Sequence, residues 1–477
     1  MPEIRATSNT TECVPPDPAD TLSDRINLAL NSSGPGYVLR LCQDTQYFIQ
    51  APLLFAAPNQ EISTIGYPIP QLDGTDHRAT LVVSGPVFPN GTGHACAIYG
   101  QCPTCNGIQI RNLRINGSRL GAPPINGGAN IEIGAANSGQ LVEYVKSFDP
   151  RGWSCLHVME GGLTCTNTTI RYNDIGPCGS DNFQARIAST QWSDGISLSC
   201  RNSYVHGNWI NTATDGGIVI FGSPGSLIEN NTIWVETAIM IGGINMVDYN
   251  PFSGDYRGTV VRNNTIRGGF ANSPETAGEQ KGDNNVTAMI KIGIAVGPRT
   301  WFGNQFLANV STGGIVLDNV FTGAFGYAIG INSATNFTIS GNSLFGNTSF
   351  IGSRGPNCTN DDTTPIPSAF IYDQNRVLQS SLQSDMASVP DADALTCIVP
   401  SDGNYWPFGG EPTPVVPGEV SPSGSSKHSD NGAKIGIGIG VPAAVILSGL
   451  IAWFLRKWYL ARHDSHVPLP RRRTRLR

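Results

Sequence analysis

Asp194 and Asp215 are each followed by glycine, in SDGIS and TDGG, and stand 21 residues apart. If the chain between them makes one turn of a coil, the two carboxyls sit on adjacent strands, ~4.8 Å apart. Two acids that close resist ionising together. One therefore keeps its proton and serves as a general acid, while the other remains a base. The same Asp-Gly pairs also open ordinary turns, which is a purely structural use of these residues.

Three other stretches carry groups that bind or polarise a substrate. Lys291, in MIKIG, alternates with Ile290 and Ile292 and is expected to point outward beside the aspartates as a substrate-binding cation. Arg151 belongs to SFDPRGWSCLHVMEG, and a cation beside a base is what elimination next to a carboxylate requires, to stabilise the enolate. His157, in the apolar part of that stretch, is expected to be a satisfied core residue. The excursion GGINMVDYNPFSGDYRG, residues 242–258, interrupts the surrounding pattern with Asp248, Tyr249 and Arg257, aromatic and charged groups suited to the wall of a binding groove. No phosphate loop, nucleophile elbow or histidine-rich metal motif occurs. We expect no metal and no cofactor; calcium is compatible with the acids but has no motif of its own.

Only a stacked architecture makes positions 194 and 215 neighbours. A phrase of strand, Asn-containing turn and strand recurs as IQIRNLRI, TTIRYNDI, SYVHGNWI, SLIENNTI, TVVRNNTI and NFTISGNSLF, with Asn208 and Asn231 spaced by 23 residues, as are Asn319 and Asn342. Between the copies lie DGISLS, DGGIVIFG, TAIMIGG, MIKIGIAVG and GYAIGIN, half-alternating strands. Short Ile- and Val-rich strands at this period predict an all-β fold, a right-handed parallel β-helix in which each strand pairs with the one a coil above. Asn at the bends tolerates left-handed backbone angles and bonds to its neighbours.

This repeat grammar resembles the pectin-lyase-like β-helix superfamily over residues 20–375, and DTLSDRINLALNSSGPGYVLRL resembles that superfamily's opening, an amphipathic cap helix followed by the first strands. The fold hosts lyases, hydrolases, epimerases and adhesins, so it does not select among them. The two Asp-Gly contexts are similar to those of polygalacturonase-type hydrolases, and the resemblance implies catalytic roles for Asp194 and Asp215. Gly216 stands where that family has a second aspartate, and its Gly-His-Gly and Arg-x-Lys motifs do not appear downstream. The expectation is a carbohydrate-active enzyme, hydrolase or lyase, acting on an extracellular, pectin-like polysaccharide. The alternative is a non-catalytic, glycan-binding wall or adhesion protein.

Beyond the repeats, residues 376–408 read as a capping segment and residues 409–434 as a Pro/Ser/Gly-rich stalk. Residues 435–455, IGIGIGVPAAVILSGLIAWFL, carry no charge over 21 positions, enough to cross the ~30 Å core of a bilayer. Eight of the 30 basic residues and one of the 36 acidic ones follow Leu455, which places the 456–477 tail in the cytoplasm and the body outside. The Gly436 to Gly440 spacing would let two such helices pack, but oligomeric state stays open. The body is acidic and is not expected to bind nucleic acid. Residues 1–19 contain no apolar signal-peptide segment, so we expect either a missing leader or a tail-anchored cytosolic body; eleven cysteines and twelve Asn-x-Ser/Thr sequons favour the former. Local disulfides are expected: Cys13 with Cys42, Cys155 with Cys165, Cys178 with Cys200, Cys358 with Cys397, and two among Cys96, Cys102 and Cys105.

Overall fold

The computed structural model describes residues 12–88, 90–119, 125, 127–180, 192–235, 238–269, 289–303, 308–350, 352, 365 and 367–396. All lie in the first of two compact units, Met1–Pro414. Helix α1, Leu22–Ser33, opens the fold. Its apolar residues Leu22, Ile26 and Leu30 recur every fourth position, so they share one face, and all three are fully buried against the first strands. Asn27 fastens the helix to the strand edge by donating to the Pro52 carbonyl and accepting from the Leu54 amide. Gly34, at φ +75°, ends it.

The chain then winds as a solenoid of parallel strands. One sheet of ten strands runs from Val38–Leu41 to Thr338–Ser340, a twenty-stranded sheet continues around the coil, and a three-stranded sheet covers its last turns. Register is strict because every coil repeats its inward residue. In the ten-stranded sheet Ile62, Ile110, Val142, Ile170, Val205, Ile228, Val261, Val316 and Ile339 follow one another in register. A second column runs through Ile98, Ile131, Leu156, Ile196, Ile218, Ile244, Ile294 and Ile329. Each of these side chains is at most 1% exposed and contributes about 1.5–3 kcal/mol on burial.

The NNT bends divide their labour. The first asparagine, Asn230 or Asn263, takes a positive φ (55° and 52°) and faces solvent, whereas the second, Asn231 or Asn264, is buried. Tyr172, Gly207, Asp318 and Gly341 hold the left-handed position before Asn173, Asn208, Asn319 and Asn342 in the other coils. The buried amides form a ladder along the axis, each Nδ2 donating to the next Oδ1, from Asn173 through Asn208, Asn231, Asn264 and Asn319 to Asn342, at 2.9 Å per rung. Gln383 receives the last amide at 3.0 Å. It lies in the segment read from sequence as a cap, yet Phe370–Asp373 pairs in parallel with Ala387–Val389, so coiling continues beyond residue 375.

Four disulfides are present: Cys13–Cys42, Cys102–Cys105, Cys155–Cys178 and Cys165–Cys200. The first pairing and the Cys102–Cys105 choice agree with expectation; the other two exchange partners. Nearest neighbours in a solenoid are residues one coil apart, so Cys165 lies beside Cys200, 35 positions on, with Cα atoms 4.9 Å apart, rather than beside Cys155. Cys96 is buried with a free thiol. The expected Cys358–Cys397 pair, the stalk, the 435–455 segment and the basic tail fall outside the described residues. Among the described residues no helix is long and apolar enough to cross a membrane.

Asn208 is fully buried and accepts from the Asn173 main-chain and side-chain amides while donating to Ile170 and Asn231. Asn208→Ala strands these partners at ~1–3 kcal/mol each. We expect a loss of about 3 kcal/mol or more in chemical denaturation, well above that of Asn230→Ala on the solvent side of the same bend type.

Candidate active site

The carboxyls of Asp194 and Asp215 meet as the spacing requires. The Asp194 amide donates to the Trp153 carbonyl at 2.8 Å and the Asp215 amide to the Ser193 carbonyl at 3.2 Å, the bond made by a residue directly opposite Asp194. Two residues later the offset grows by one, since Ile196 faces Ile218. The extra residue falls in the Gly216-Gly217 pair. A Cβ on Gly216 would lie 2.4 Å from both Asn245 Nδ2 and Val219 Cγ2, so a second aspartate has no room there. The third carboxyl of the site comes instead from Asp248, just past strand Ile239–Met246.

All three acids are partly exposed and all three are raised. Burial lifts Asp215 to about 6. Burial and then the charge of Asp215 carry Asp248 to about 7. Asp194 is pushed furthest, well above the usual carboxylate range, by burial first and then by Asp215 and Asp248; the Ser197 hydroxyl, donating to Oδ2 at 2.7 Å, pulls weakly the other way. Asp194 Oδ1 is buried without a hydrogen-bond partner. Asp215 therefore ionises first while Asp194 retains its proton, the division of roles that acid–base catalysis needs.

Residues without a role in the sequence reading complete the row. Strands Ala129–Gly134, Ser154–Met159 and Asp194–Leu198 align Glu132 with His157 and His157 with Ser197. Burial raises Glu132 and lowers His157 to about 4, so the imidazole is neutral. His157 is partly exposed rather than fully enclosed in the core. Trp153, 51% exposed, precedes the strand beside Asp194. The available signal was polar residues alternating with Ile131 and Ile133, Leu156 and Val158, and Ile196 and Leu198, one coil apart.

The expected cations behave differently. Lys291 stands in line with Asp215 two coils on, because Ile292 faces Gly242 and Gly242 faces Gly216, but it is 4% exposed and lowered to about 8 by burial. The exposure that a substrate-binding cation needs is absent, because the strand is covered on both faces. Arg151 is committed to structure: its guanidinium donates to the carbonyls of Val83, Gly85 and His94 at 2.7–3.0 Å, which holds the loop after strand Ala79–Val83. Arg257 is exposed and paired with Asp255 at 2.8 Å, away from the acids, because the excursion folds back on itself. Tyr249 is half-buried, and its carbonyl accepts the Gly254 amide within that excursion. Among the described residues no group of three or more His, Cys, Asp or Glu side chains is arranged to hold a metal ion.

No protein-family model and no curated protein sequence matches the chain. Solved structures similar to it include an alginate lyase from Paenibacillus sp. str. FPU-7 (15% identity, TM-score 0.41, 69% of this chain and 95% of that one). The surface adhesin PfbA of Streptococcus pneumoniae aligns at 12% identity and TM-score 0.41 over 78% and 88%. A DFA-IIIase from Arthrobacter chlorophenolicus A6 aligns at 14% and 0.44 over 79% and 87%. Similarity at this level identifies no activity; the chemistry rests on the side chains.

A carboxyl whose folded pKa exceeds its unfolded value of ~3.9 favours folding less and less as pH climbs past that value. Asp194→Asn and Asp248→Asn should therefore raise Tm at pH 8, by roughly 2–4 °C for each kcal/mol of charge burial relieved, and should leave it unchanged below about pH 4. Thermal unfolding of the variants across pH checks this.

Proposed function

We propose that this protein is a glycoside hydrolase acting on a neutral polysaccharide. The observation that supports this reading is the meeting of Asp194 and Asp215 on adjacent coils with separated proton affinities. In the reaction, protonated Asp194 gives its proton to the glycosidic oxygen as the C–O bond breaks. Ionised Asp215 either takes a proton from the attacking water or attacks the anomeric carbon itself, according to the distance between the carboxyl groups. Asp248, as it ionises near 7, adds a second negative charge beside Asp194 and so helps that acid keep its proton.

Elimination is the weaker reading. It needs a cation facing the substrate's own carboxylate, and Arg151 is spent on carbonyls while Lys291 is covered. The ionised carboxylate of Asp215 also repels a uronate polymer, which turns the preference from a pectin-like chain to an uncharged one. We further propose a cell-surface location, with residues 435–455 spanning a membrane once. This is supported by the four disulfides and by exposed sequon asparagines at positions 31, 90, 167, 230, 263 and 336.

The purified full-length chain, incubated with neutral glucans, pectate and alginate, should release reducing ends from a neutral glucan without unsaturated products. Binding without turnover would select the adhesion alternative. Asp194→Asn and Asp215→Asn should each lower kcat by about 10²–10⁴. The rate should rise with pH through the ionisation of Asp215 near 6 and fall where Asp194 loses its proton. A rate independent of pH across that limb would contradict the assignment.

A further inference from the structure

Two coils before the aspartates the same bend opens into a cavity of about 550 Å³, within the roughly 300–1,000 Å³ of small-molecule sites. Phe88, Ile125, Gly127, Gly128, His94 and Glu132 are among its lining residues. Glu132 ties it to the reaction centre, since the register runs from Glu132 to His157 to Ser197, and Ser197 bonds Asp194. At ~4.8 Å per rung, cavity and proton donor are separated by about 10 Å along the axis.

The walls favour one kind of ligand. Trp153 stands between cavity and acids: a Cβ on Gly127 would lie 3.8 Å from its ring, and its carbonyl receives the Asp194 amide. Phe88, also 51% exposed, gives the cavity a second aromatic surface. Gly127 and Gly128 hold φ of +91° and +88°, and a Cβ on Gly128 would come within 3.0 Å of Ala95, so a side chain at either position would strain the mouth of the cavity. His94 is neutral: its Nδ1 accepts from the Gly85 amide, its Nε2–H donates to the Cys96 carbonyl, and burial lowers it to about 4. Among the described residues lining the cavity there is no lysine or arginine, and the Arg151 guanidinium behind its wall is bound to carbonyls. An aromatic face, hydrogen-bonding groups and no counter-cation suit a molecule with an apolar C–H face and many hydroxyls, and they exclude an anion.

We propose that this cavity, with Trp153 at its edge, is a distal saccharide subsite that takes a neutral pyranose unit of the same glycan chain whose bond lies at Asp194 and Asp215. The assignment rests on the reading of those aspartates as a glycan-cleaving pair. The chain then runs along the solenoid axis, with an aromatic face under one unit, Glu132 and His157 beneath the hydroxyls, and binding energy that grows until the cavity is reached.

The test uses the full-length chain carrying Asp194→Asn and ladders of cello-, laminari- and malto-oligosaccharides in titration calorimetry. Affinity for at least one ladder should climb with length; adding Trp153→Ala should lower it tenfold or more for the long members and leave the short ones unchanged, and Trp153→Phe should restore most of it. Glu132→Gln, which keeps the shape, should weaken the long members several-fold. With Asp194 intact, Trp153→Ala should raise KM for long substrates several-fold more than for short ones. A length dependence identical in the parent and in both the Trp153→Ala and Glu132→Gln variants, or no binding of any ladder, overturns the subsite. Length-dependent binding lost in Trp153→Ala, in a chain that never cleaves, removes the hydrolase reading and keeps the subsite. Turnover abolished by Asp194→Asn, with length dependence untouched by Trp153→Ala, does the reverse.

Discussion

The structure depends on in-register stacking, and the buried amide ladder is where that constraint is strongest. An asparagine carries both donor and acceptor, so one residue per coil satisfies its neighbours on either side together with two main-chain groups, and none of these polar atoms has to reach water. A shift of one residue would break every rung at once and would turn the Ile and Val columns outward. The cooperativity explains how a chain wound from short strands holds positions 20 to 60 residues apart to a single spacing.

The same stacking that orders the core concentrates charge at one bend. Asp194, Asp215 and Asp248 come from three elements whose separations the backbone ladder dictates, so the carboxyls cannot relax apart to lower their repulsion. They remain partly open to solvent, which distinguishes them from core residues, yet they are desolvated enough to hold protons that exposed acids would lose. Stability is surrendered locally for a proton inventory that a flexible surface would not keep.

Charged groups elsewhere serve the scaffold. Glu143 accepts from Arg111 and Arg171 on neighbouring coils, Glu229 accepts from Arg262 and Tyr204, and Arg151 ties down a loop. On the ten-stranded face, opposite charges one rung apart neutralise each other. At the aspartate bend carboxyls meet one another instead, and this asymmetry between two faces of one solenoid marks the candidate site.

By itself the sequence determined the winding: the asparagine spacing, the Ile and Val alternation and the Leu22, Ile26 and Leu30 face of the first helix are local periodicities, and periodicity is what a linear string records. It also placed Asp194 beside Asp215, because a 21-residue offset is one coil. Tertiary structure alone decided which partners other groups take. Lys291 was covered, Arg151 bonded to carbonyls, Asp248 joined the acids, Cys165 reached Cys200, and Glu132, His157 and Trp153 assembled into a row, since such contacts depend on distances across coils and around bends whose lengths vary. A periodic pattern specifies the direction in which a side chain leaves the backbone; only the folded chain specifies what it meets there.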